Sequence, residues 1–262
     1  MSIEQDKCDP ARMTVVVTGA TSGFGEAAAK RYHAAGAHVV ATGRRSDRLR
    51  RLADSLGDDR LHTLELDVRD RDAVFQAFED LPAPFANVDV LVNNAGLALG
   101  LEPGHQANLD DWDTMIDTNC KGLTYCSRAL LPGMCQRDRG HIINLGSVAG
   151  TYPYPGGNAY GATKAFVKQF SLNLRADLIG YNIRVTDIEP GLAHTEFSLV
   201  RFKGDESMAE KPYQNIQPLR SEDVAETIFW VTTLPRHVNI NRMEVMPVMQ
   251  AFNPFKFYRD DG

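Results

Sequence analysis

The chain has 262 residues, 43% hydrophobic and 24% charged, a globular balance and a length at which one α/β domain can bury a full core. Its formal charge of −6 argues against nucleic acid as a partner, which calls for an excess of Lys and Arg. No apolar run approaches the roughly 20 residues of a membrane span, and the four cysteines and scattered histidines form neither a disulfide framework nor a metal-ligand spacing.

The N-terminus lacks an apolar leader core, so the expected compartment is the cytoplasm. Residues 1–12 read as a flexible tail, 13–248 as one domain and 249–262 as an aromatic tail containing Phe252, Phe255, Phe257 and Tyr258. The first β-branched run, 13–18, feeds a turn spaced G-x-x-x-G-x-G, with Gly19, Gly23 and Gly25 interleaved with Thr21, Ser22 and Phe24, and then a helix over 23–35 ending at Gly36. Such a turn brings backbone N–H groups and a helix N-terminus close to an anion such as a pyrophosphate. After the second run, 37–42, comes "GRRSDRLRR" with five Arg. An acidic residue there would bind the 2′-hydroxyl of NAD, whereas Gly43 leaves space and Arg44 and Arg45 can pair with the 2′-phosphate of NADP(H). Arg48, Arg50 and Arg51 read as the solvated face of a helix over 46–56, capped by Ser46 and closed by Gly57.

The third run, 61–66, ends at Asp67 and Val68, which either bracket an adenine edge or only make a turn. A helix over 70–80, capped by Asp70, precedes the run 88–92 and "NNAG", residues 93–96, where Asn94, Ala95 and Gly96 are either turn chemistry or a close backbone approach to a cofactor. A long helical pattern covers 109–136. The run 141–146 ends at Ser147. A helix over 158–179, closed by Gly180, then carries Tyr160 and Lys164 four positions apart and so on one face. A nearby ammonium favours phenolate, which makes Tyr160 a proton shuttle near neutrality. The run 183–188 leads to Pro190, Gly191, Leu192 and Thr195 at the start of a weakly periodic segment, 190–218, of the length that lids and binding loops have. Within it, Arg201 and Lys203 either hold an anionic substrate or face solvent, and His194 either reaches the pocket or is a plain loop residue. A helix over 221–233, capped by Ser221, and a run at 242–248 complete the chain. Seven runs alternating with helices imply a parallel sheet covered on both faces.

In order along the chain, Gly19/Gly23/Gly25, Asn93 to Gly96, Asn119, Ser147, Tyr160/Lys164 and Pro190/Gly191 resemble the motifs of the short-chain dehydrogenase/reductase family. The resemblance implies a single Rossmann-type doubly wound domain with a seven-stranded parallel sheet and a homotetramer. It also implies that Tyr160 exchanges the hydroxyl proton, Ser147 holds the substrate oxygen, Lys164 lowers the Tyr160 pKa and binds the nicotinamide ribose, and Asn119 supports a proton relay. Stretches such as "GGNAYGATKAF" and "TEFSLVRFKGD" look like the branch of NADP-dependent 3-hydroxy acid dehydrogenases, which implies a small anionic hydroxy acid or aldehyde as substrate. A sulfonate in place of the carboxylate gives a second reading, sulfoacetaldehyde reduction. Reduction of a 3-oxoacyl or other apolar ketone, and NADPH binding without turnover, are two further readings.

Overall fold

The computed structural model describes residues 7–57 and 59–252; Phe255, Phe257 and Tyr258 lie outside them. Seven strands, β1 (Thr14–Val17), β2 (His38–Gly43), β3 (Leu61–Glu65), β4 (Val90–Asn93), β5 (Gly140–Leu145), β6 (Ile183–Pro190) and β7 (Arg242–Val245), form one sheet in the order β3-β2-β1-β4-β5-β6-β7. Every pairing is parallel. The helices are α1 (Gly23–Ala34), α2 (Ser46–Leu56), α3 (Arg71–Glu79), α4 (Leu109–Ile116), α5 (Leu123–Gln136), α6 (Asn158–Asp177), α7 (Phe197–Arg201), α8 (Glu206–Glu210) and α9 (Ser221–Thr233).

Side-chain alternation divides the core into two layers. Val15 and Val17 of β1 join Ala28 and Tyr32 of α1, Leu49 of α2 and Ile228 of α9 on one face. Val16, between them, joins Ile142 of β5, Val74 of α3, Met134 of α5 and Leu174 of α6 on the other. Both faces are therefore covered, and truncating a fully buried residue such as Ile142 to Ala would cost about 2–5 kcal/mol.

Asp70 caps α3 as expected, its carboxylate accepting the Ala73 N–H at 3.0 Å. Ser46 and Ser221 are instead the first helical residues, and Arg45 and Arg220 occupy the capping positions. Arg45 is held there by side-chain bonds to Thr21 and Ser22, and the Arg220 N–H donates to the Asp223 carboxylate at 2.8 Å. Gly36, Gly57 and Gly180 follow their helices with positive φ, the left-handed conformation that ends a helix.

The pattern at 109–136 is helical throughout, with a π-helical turn, Asp117–Gly122, between α4 and α5. The segment 190–218 contains α7 and α8, each five residues long, too short to show a helical repeat in sequence. At the other end of the chain, the Cys8 N–H donates to the Thr233 carbonyl at 3.0 Å. The strand order reverses between β1 and β4, and in open parallel sheets ligands bind outside the carboxyl ends of the strands at such a point.

Candidate active site

A cavity of about 570 Å³ opens there. Gly19, Thr21, Ser22, Gly23, Phe24, Arg44, Arg45, Asp67, Val68, Asn94, Ala95, Gly96, Ser147, Tyr160, Lys164, Pro190, Gly191, Leu192, Thr195 and Arg201 all line it. Of the residues expected at the site, Gly25 and Asn119 do not line it.

Gly19 and Gly23 have φ of +67° and +55°, values that L side chains adopt only with strain. Gly25 serves packing, because a Cβ there would collide with the Gly19 carbonyl and Asn94 Nδ2. The Asn94 amide donates to the carbonyls of Thr18 and Gly19 at 2.9 and 3.1 Å, tying β4 to the glycine turn. Arg45 reaches Thr21 Oγ1 and Ser22 Oγ at 2.9 and 2.7 Å and pairs with Glu196 at 3.1 Å. Arg48 pairs with the same carboxylate at 2.6 Å. Arg44 is half exposed, with Asp67 3.9 Å away. The Asp67 carboxyl is itself held below its ordinary value by hydrogen bonds from Arg69, against the opposing effect of burial.

At the far end of the cleft, Ser147 follows β5. Its hydroxyl accepts the Ala149 N–H at 3.1 Å and donates to the Pro190 carbonyl at 3.5 Å. Burial pushes the Tyr160 phenol up, while the Arg201 charge and a hydrogen bond with Ser147 pull it down. Two cations face the Tyr160 ring. Lys164 Nζ donates to the Leu145 carbonyl at 2.6 Å and lies 5.8 Å from the Tyr160 ring centroid; the Arg201 guanidinium carbon is 5.0 Å from that centroid. Burial lowers Lys164 to about 8, since a desolvated ammonium is disfavoured.

Arg201 also packs over Phe197 at 5.2 Å and donates to the Tyr154 hydroxyl at 2.9 Å. The other loop candidates do not line the cavity. Lys203 pairs with Asp111 at 2.8 Å, and His194 contacts Glu210 at 3.2 Å and the Tyr213 ring at 4.4 Å. Asn119, fully buried, clamps Leu97: its side chain accepts the Leu97 N–H at 2.9 Å and donates to the Leu97 carbonyl at 2.8 Å and Thr163 Oγ1 at 3.0 Å. It sits in the π-helical turn, a distortion often found at functional sites.

Tyr154, Tyr213 and Gln250 also line the cavity and were not expected there. "YPYPGGN", residues 152–158, is an aromatic, turn-rich stretch between Ser147 and Tyr160 that signals Tyr154. Nothing local signals Gln250, whose Oε1 accepts the Leu192 N–H at 2.7 Å.

Residues 13–205 match the family described as short chain dehydrogenase. The chain is 60% identical to NADP-dependent 3-hydroxy acid dehydrogenase YdfG of Escherichia coli (strain K12) over 94% of this chain and 100% of that one. It is 54% identical to sulfoacetaldehyde reductase 2 of Chromohalobacter salexigens over 94% and 98%. A solved structure, the closed form of serine dehydrogenase complexed with NADP+, shares 60% identity and superposes with a TM-score of 0.91, covering 95% of this chain and all of its own.

Proposed function

Because this chain belongs to the short-chain dehydrogenase family, we propose that it interconverts a small anionic aldehyde or keto acid and its β-hydroxy anion beside Tyr160. It is an NADP-dependent oxidoreductase acting on alcohol groups. The observation that carries the substrate reading is Arg201, a cation on the cleft wall 5.0 Å from the Tyr160 ring centroid, where the anionic end of a three-carbon substrate would lie when its oxygen meets Tyr160 and Ser147.

The cleft fits NADP(H). The glycine turn exposes backbone N–H groups at the α1 N-terminus, Arg44 and Arg45 flank the end of β2, and a Cβ on Gly43 would run into Thr21. When bound, the nicotinamide supplies or accepts the hydride. In this reading Ser147 holds the substrate oxygen by its hydroxyl, and Tyr160 gives or takes the proton at its Oη. Lys164 keeps a positive charge at the ribose end, and Arg201 both anchors the substrate anion and favours the Tyr160 phenolate. Asn119 supports the relay by fixing the backbone of Leu97 and the Thr163 hydroxyl.

Tyr160→Phe is expected to lower turnover by about 10² to 10⁴ with NADPH binding, measured by fluorescence titration, nearly intact. Near-normal turnover in that variant would remove Tyr160 from the reaction. Comparing kcat/KM for malonic semialdehyde, sulfoacetaldehyde, serine and 3-hydroxyisobutyrate identifies the substrate, because a tenfold preference is about 1.4 kcal/mol of transition-state discrimination. Arg201→Met is expected to lower kcat/KM for these anions at least about tenfold more than for a neutral aldehyde of the same length. A best rate on the neutral compound in the wild type would overturn the anionic reading.

The proposed compartment is the cytoplasm, and no helix among the described residues is long and apolar enough to cross a membrane. The proposed assembly is a homotetramer. Ile116, Phe166 and Leu172 on α4 and α6, and Trp230 on α9, are exposed, and subunit pairing would cover them.

A further inference from the structure

Ile183, Val185, Asp187 and Glu189 point to one face of β6. The first two enter the apolar layer beneath α6 with Leu174 and Leu178. The last two carry carboxyls toward the active-site end of the same face, and both are buried, Asp187 at 1% exposure and Glu189 at 0%. Glu189 pairs with Arg242 of β7 at 2.8 Å. Neither oxygen of Asp187 nor of Glu189 accepts a hydrogen bond from an N–H or hydroxyl group, and the two carboxyls stand two residues apart on the same face of one strand. Two acceptors so placed stay together in an apolar layer when one of them carries a proton.

Asp187 also adjoins the catalytic centre. Lys164 Nζ donates to the Leu145 carbonyl, and a Cβ on Gly146 would collide with Asp187 Oδ1. Ammonium and carboxyl thus flank the Leu145–Gly146 peptide, one residue before Ser147. We propose that Asp187 and Glu189 share a single proton behind Lys164, and that Asp187 is a positioning residue that keeps the Lys164 ammonium charged and facing the cleft. This rests on the role assigned to Lys164 above.

The charged and titratable groups around the pair are Lys164 of α6, Cys120 of the π-helical turn through its coupling to Lys164, Arg242 and Glu244 of β7, and Tyr152, which donates to Glu244 at 3.1 Å. Burial and Glu189 raise Asp187 far above the carboxylate range, while Lys164 and Arg242 act against them. Asp187 in turn raises Lys164 against the larger effect of burial. As pH rises the shared proton leaves, and the second negative charge then supports the ammonium. Without Asp187, Lys164 loses its proton at lower pH.

Infrared difference spectra of the NADP+-bound protein between about pH 6 and pH 10 should show the carbonyl band of a buried protonated carboxyl vanish as pH rises. The band should persist in Tyr160→Phe and be lost in Asp187→Asn. It should also be lost in Glu189→Gln, whose amide would donate to an ionised Asp187. In parallel, the alkaline limb of kcat/KM for alcohol oxidation should move at least about one pH unit lower in Asp187→Asn. The absence of such a band in the wild type, or its survival in Asp187→Asn, would overturn the proposal, as would an unshifted limb. Should Asp187→Asn fail to fold, the wild-type band and Glu189→Gln decide. The band is read without turnover, so a failure of the role assigned to Tyr160, seen as normal activity in Tyr160→Phe, stays separate.

Discussion

At Tyr160 opposing influences act on one proton: burial holds it on the phenol, and Arg201 and Ser147 draw it off. Replacing Arg201 with Met removes a positive charge that favours phenolate, so the Tyr160 pKa rises. The acid limb of alcohol oxidation, which needs phenolate, should then move to higher pH in a pH–rate profile. The Tyr160–Lys164 spacing was legible because a helix repeats every 3.6 residues. The charge of Arg201 was legible only as a loop cation, since the contact is made by folding. Asp187 was not singled out at all: its place behind Lys164 of α6 and beside Gly146 is made by folding, and nothing within the run 183–188 states it. Its raised pKa has a consequence for stability. The native state keeps a proton that the unfolded chain releases above the ordinary carboxylate value, so stability falls as pH rises from that value toward the raised one. Urea denaturation of Asp187→Asn should lack that fall.

Between elements, the ion pairs from Arg45 and Arg48 to Glu196 fasten the start of α2 to the segment leading into α7. Arg45 is occupied by Thr21, Ser22 and Glu196, whereas among the described residues Arg44 has only a distant carboxylate and is the freer of the two to meet a 2′-phosphate. Arg44→Ala should therefore weaken NADPH far more than NADH. Arg45→Ala should also lower Tm, a combination that calorimetry with paired cofactor titrations would separate. The π-helical turn is a second joint. Asn119→Ala would leave the buried Leu97 N–H and carbonyl without partners, at a cost of about 1–3 kcal/mol, measurable as a lower urea midpoint. Sequence periodicity could not reveal this turn, because inserting it leaves apolar residues on both sides of 117–122 at acceptable helical spacing. Nor could it show α7 and α8, whose few residues are placed by packing.

For the molecule as a whole, the seven apolar runs and the helices between them were legible because a sheet buried on both faces needs continuous β-branched strands. The strand order was not, since nothing within a run states its neighbour. That order makes the crevice between β1 and β4, and it brings the glycine turn, Ser147 and the segment after Pro190 to one rim although they are far apart in the chain. The assembly is decided at this scale too. Phe166, 41% exposed, stacks on Phe170 at 5.8 Å along α6. If the proposed tetramer uses this face, Phe166→Asp should yield smaller species in analytical ultracentrifugation with the monomer still folded; an unchanged sedimentation coefficient would exclude this face from the proposed contact.

The bond from the Leu192 amide to Gln250 Oε1 bears on how the protein is handled at the bench. A fusion or truncation placed at residue 250 itself would act directly on the rim of the reaction chamber. Lys7 and Cys8, the latter bonded to Thr233, line a separate cleft at the amino ends of the strands. Immobilised preparations should therefore be tethered by their first residues, and assays of carboxyl-terminal fusions should be read against the untagged enzyme.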